Sequence, residues 1–123
     1  MTTKHKSDAV KIKRVRSVID RLKWGRERIA DPKHWQKGAA EFNGRFCALG
    51  AIGFHRSETH SLEARRFLMR ALSRICRKPH GVVSVSTYND NPRRTHAQIM
   101  RMFDTAIALA EKERTLIGKA KAK

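Results

Sequence analysis

Apolar side chains recur at three- and four-residue steps over the first part of the chain. Val15, Val18, Ile19, Leu22 and Ile29 fall along one stripe of a helix whose other faces are filled by Lys and Arg. Ser7 or Asp8 is placed to cap its start. Pro32 pushes Asp31 out of helical geometry, so this helix is expected to stop near Ala30, and Gly25 marks a candidate bend. The same periodicity returns in Leu62, Phe67, Leu68, Ala71, Leu72, Ile75 and Cys76, preceded by hydroxyl-bearing residues from Ser57 to Ser61 and stopped by Pro79 and Gly81. A third such element begins with Thr95 and Gln98, spaced as a capping box, and carries Ile99, Met102, Phe103, Ala106, Ile107 and Ala110 on its predicted buried face.

The pattern between these helices is different. From Asp31 to Arg45 the turn formers Pro32, Gly38, Asn43 and Gly44 interrupt two aromatics, Trp35 and Phe42, which are expected to cover one edge of the core. Phe46 to Phe54 (FCALGAIGF) is almost wholly apolar and is read as a buried central helix, although so short a run also fits a buried strand. Val82 to Tyr88 (VVSVSTY) alternates apolar and hydroxyl residues, which predicts an extended segment. Asn89, Asp90, Asn91 and Pro92 read as a turn cluster, with Asp104 in a position to bond it. The fold expected is mainly α: a single compact domain of about four helices over residues 8–110, with a loop-rich middle and a short extended segment at 82–88. A flexible basic N-terminus (1–7) and a basic C-terminal tail (111–123) are expected to flank it.

Composition narrows the picture. At 123 residues the chain encloses one core, and its 40% hydrophobic content argues against full disorder. No window approaches the roughly 18 uncharged apolar residues of a spanning helix, and the N-terminus lacks the apolar run of a secretory signal, so a cytoplasmic protein without a membrane partner is expected. Two cysteines, Cys47 and Cys76, cannot build a disulfide framework.

Charge changes the picture most. Against 28 Lys and Arg stand 11 Asp and Glu, a formal +17. Such a chain repels itself unless a polyanion neutralises it, which makes DNA or RNA, held through phosphates, the expected partner, with an acidic protein as the alternative. The excess is uneven: residues 61–81 hold six basic side chains and one acidic, whereas residues 38–60 are balanced. Arg66, Arg70 and Arg74 are spaced four apart with Arg77 three further on, so the four guanidinium groups project from one side of the second periodic helix, and Lys78 follows as a further candidate contact. Like charges at that spacing cost stability in an isolated helix, and an anion relieves the cost. Arginine also offers phosphate a planar, bidentate fork. On the first helix Lys11, Arg14, Arg21 and Arg28 form a second stripe, expected to share a face with the first and so track a phosphate backbone with little base preference.

Catalytic patterns are weak. The chain has no Gly-rich phosphate loop, no GxSxG elbow and no paired-carboxylate signature, so neither a catalytic residue nor a cofactor is assigned. Cys47 at the expected start of the central helix, with Asn89 and His96 downstream, offers the residue types of a papain-like thiol site and is the enzymatic alternative. Against this, its neighbours Phe46, Ala48 and Leu49 give it the surroundings of an inert packing cysteine. His55, His60, Cys76 and His80 match no zinc spacing, so no metal site is assigned.

Two segments, HWQKGAAEFNGRFCALGAIG (His34 to Gly53) and STYNDNPRRTHAQIMRMFDTAIALA (Ser86 to Ala110), together resemble a family of small bacterial and phage proteins of unknown function. The shared pattern is a tryptophan and glycine before CALGA, an Asn-Asp turn, a threonine cap and a last helix ending in FDxAI, and it covers most of residues 15–110. The resemblance implies a compact, mainly helical domain and brings no established activity. The basic load on the first and second periodic helices and the lysine tail depart from it. They point to a specialised nucleic-acid role or to a phage or mobile-element interaction module.

Overall fold

The computed structural model describes the backbone of residues 2–122 and the side-chain environments of residues 9–119. Two helices of 27 residues, α1 (Thr2–Arg28) and α5 (His96–Ala122), run antiparallel, each about 40 Å long. Their sense is fixed by ion pairs between Lys23 and Glu111 at 3.5 Å and between Arg26 and Asp104 at 2.6 Å. The shorter α3 (Ser61–Cys76) packs against both. Between α1 and α3 the chain forms a two-stranded hairpin, β1 (Glu41–Phe42) with β2 (Arg45–Phe46), and a single helical turn, α2 (Ala48–Ala51); a further short helix, α4 (Val85–Asp90), precedes α5.

The periodic stripes form the core. Val15, Val18, Ile19, Leu22 and Ile29 from α1 and the residues following it, Phe67, Leu68, Ala71 and Leu72 from α3, and Ile99, Met102, Phe103, Ala106 and Ala110 from α5 are all buried in one cluster. Leu109 is buried with them, while Ile107 is half-buried. The capping box at the start of α5 is reciprocal: the Gln98 amide donates to Thr95 Oγ1 at 3.2 Å, and the Thr95 amide donates to Gln98 Oε1 at 3.0 Å.

Several expectations are corrected. Helix α1 begins at Thr2, so its backbone passes through Ser7 and Asp8, whose side chains lie outside the described residues. Gly25 produces no break in α1. It lies where a Cβ would come within 2.7 Å of Ile52 Cγ2, so it permits close approach of α2. The expected central helix over 46–54 shrinks to the four residues of α2, because Phe46 pairs in β2 and Gly53, at φ 76°, turns the chain out of helix. Segment 82–88 is not extended throughout, since it turns helical from Val85. Ser84 Oγ accepts from the Thr87 amide and starts α4, which buries Val85, Tyr88 and Asn89 at helical spacing. Phe42 covers nothing and is 63% exposed on the hairpin. Helix α5 continues to Ala122, well past Ala110 where the tail was expected to begin.

Candidate functional site

Helix α3 is stopped by Arg77, whose left-handed conformation (φ 53°) lets its amide and that of Lys78 donate to the Ser73 carbonyl. That closure leaves Arg74, Arg77 and Lys78 at the negative end of the α3 dipole, a position that favours cations. Arg66, Arg74, Arg77 and Lys78 are exposed, and among the described residues none has a carboxylate within 4.0 Å. Arg70 is half-buried, lies 4.8 Å from the Phe67 ring centroid and reaches Glu113 on α5 at 3.5 Å, the outer limit of a hydrogen bond. Between α3 and α5 lies an open groove of about 430 Å³ lined by Arg70, Ser73, Arg74, His80 and Leu109. His80 joins it from the loop after α3 and was not grouped with the arginines on sequence. Its position after Pro79 gave no periodic signal to place it.

The second predicted stripe is divided. Lys11 and Arg14 are exposed. Arg21 donates to the Thr59 carbonyl at 3.0 Å and lies 4.4 Å from the Trp24 ring centroid. Arg28 is drawn further in: it donates to the Ala51 carbonyl at 3.2 Å and sits between Trp24 and Phe46, with desolvation by burial lowering its pKa. Arg21, Trp24, Asp20, Glu58 and His60 line a separate groove between α1 and the approach to α3. Arg21 and Arg70, expected on one shared face, line different grooves.

Cys47, Asn89 and His96 form no thiol site. Cys47 is buried at the start of α2, where its Sγ accepts from the Gly50 amide at 3.4 Å, and burial pushes its thiol pKa up. Asn89, fully buried, accepts from Trp35 Nε1 at 2.8 Å and from the Ala48 amide at 3.1 Å, while its Nδ2 donates to the Gln36 carbonyl and to Asp90. His96 Nε2 donates to the Ile29 carbonyl at 2.7 Å, and its ring tilts against Trp35. Asn89 thus ties the loop, α2 and α4 together, while His96 ties the start of α5 to the residue following α1. Asp104 takes no part in these bonds and pairs with Arg26 instead. His55 bonds Glu41, and hydrogen bonding from His55 holds that carboxyl below its ordinary pKa. Among the described residues no three His, Cys, Asp or Glu side chains gather as a metal set.

Comparison with known proteins adds one finding. Residues 9–109 match the family model of a family of unknown function, DUF6197. The chain belongs to that family. The match spans all of α2, α3 and α4 and takes in six residues more at the N-terminus than the resemblance read from the motifs. No curated protein and no solved structure gives a significant match. Membership in DUF6197 thus brings no assigned activity, and no helix of the described residues is long and apolar enough to cross a membrane.

Proposed function

We propose that this DUF6197 member binds nucleic acid through the phosphate backbone, with the outer side of α3 as its contact surface. The observation that carries this reading is the set of exposed cations Arg66, Arg74, Arg77 and Lys78, without carboxylate partners among the described residues, beside the groove formed by Arg70, Ser73, Arg74 and His80. Guanidinium groups at four-residue spacing repel one another along a helix, and phosphate oxygens remove that repulsion while accepting paired hydrogen bonds. Lys11 and Arg14 supply further positive field, whereas Arg21 and Arg28 act within the fold. In this reading contact is with the backbone and carries little sequence preference.

The test is the salt dependence of binding to a labelled random duplex and to a single-stranded RNA, read by fluorescence anisotropy. Each neutralised duplex phosphate contributes about 0.9 to the slope of log K against log salt, so Arg74→Ala with Arg77→Ala is expected to flatten that slope by about 2. A slope unchanged by the two substitutions, or no binding at low salt, overturns the reading.

A further inference from the structure

In the body of the molecule the antiparallel pair of α1 and α5 is covered by α3, but the pair is longer than its cover. The last buried residue toward the start of α1 is Val15, and the last toward the end of α5 is Ala110; among the described residues none from Ala9 to Arg14 or from Glu111 to Lys119 is buried. Among the described residues of this projecting arm two large apolar side chains face solvent, Val10 at 55% and Leu116 at 54% exposure, and Ile117 is half-buried. Both lie on the side where α3 packs lower down. Val10 and Arg14 share a stripe with Arg21, which bonds Thr59 just ahead of α3, and Leu116 follows Leu109 and Glu113, the latter bonded to Arg70 of α3. The arm therefore continues the seam into which α3 packs, without a third helix to fill it.

The rim of this seam is basic. Lys11 and Arg14 flank Val10, and Lys112 and Lys119 bracket Leu116 at four and three residues on α5. Among the described residues the two carboxylates nearby are engaged, Glu111 with Lys23 and Glu113 with Arg70. We propose that the α1–α5 arm is a docking surface for an acidic amphipathic helix of a partner protein, which lies in the position vacated by α3 and completes a three-helix bundle. Nucleic acid phosphates make no use of an exposed valine and leucine. A second copy would bring together two chains of formal charge +17. A lipid surface asks for a broad apolar face, whereas this one is a narrow seam that suits alternating side chains of a single helix.

The test uses the full-length protein and a fluorescein-labelled helical peptide of about three heptads with Leu at the a and d positions and Glu at e and g. Saturable binding is expected, weakened at least about tenfold by Val10→Ser with Leu116→Ser, and equally by a peptide with Ser at a and d, because the buried apolar contact is lost in each case. Circular dichroism and the melting temperature of the double variant should stay near those of the parent, since both positions are exposed. Arg74→Ala should leave peptide binding unchanged while weakening nucleic acid, which separates this proposal from the α3 reading. Four results overturn it: equal affinity for the Leu and Ser peptides, insensitivity to the double substitution, a dimer in sedimentation that the double substitution dissociates, or binding to vesicles of equal phosphatidylcholine and phosphatidylserine that depends on Val10 and Leu116.

Discussion

Arg77 closes α3 from the left-handed region, where glycine is the usual occupant and a side chain costs up to about 1 kcal/mol. Arg77→Gly is therefore expected to raise the melting temperature by a few degrees, for a gain of about 1 kcal/mol, while lowering the salt slope of nucleic-acid binding by about 0.9. Calorimetry together with anisotropy checks both arms, and a fall in melting temperature would show that the conformation carries no strain. Cys47 illustrates the opposite outcome, a residue of reactive type made inert by its place. Burial raises its thiol pKa, so the folded state favours the neutral thiol; the corresponding stabilisation is present below the unfolded-state pKa and is lost as pH rises toward the folded value. Iodoacetamide near pH 8 is expected to label half-exposed Cys76 well before Cys47, as read by peptide mass spectrometry.

At the scale of elements, the middle of the chain is held by one buried amide. Asn89 satisfies Trp35, the Ala48 amide and the Gln36 carbonyl at once, so Asn89→Ala strands buried donors and is expected to destabilise the fold by about 2 kcal/mol or more in urea unfolding. A loss below about 0.5 kcal/mol would show that water replaces the amide. The three long helices were legible because their apolar residues keep a period near 3.6, and Thr95 with Gln98 announced the start of α5. The short elements were not. VVSVSTY alternates like a strand, but Ser84 caps a helix whose Val85, Tyr88 and Asn89 find a buried face that only the tertiary arrangement provides. The hairpin was signalled by Asn43-Gly44, which takes positive φ at both positions (51° and 75°), yet strands of two residues are too short to show alternation. Gly50, one of the small residues of FCALGAIGF that permit close approach of neighbouring backbone, does so: a Cβ there would overlap the Ala40 carbonyl, although which segment approaches was not legible in the sequence.

For the whole molecule the organising quantity is the formal charge of +17, which the fold distributes over separate surfaces. Sequence periodicity placed Arg66, Arg70, Arg74 and Arg77 on one side of α3, and α5 then supplied Leu109 to the groove beside them. The same periodicity could not foresee that Arg21 and Arg28 engage Trp24 and backbone carbonyls, because Thr59, Ala51 and Phe46 come from distant chain. The α3 surface is the central claim, and the most direct test is a titration of the uniformly ¹⁵N-labelled protein with a short random duplex, followed by amide chemical shifts. Perturbations concentrated between Arg66 and Gly81, with α1 from Arg21 to Arg28 unmoved, are the result expected. Shifts confined to α1, or a spectrum unchanged by the duplex at low salt, would contradict it.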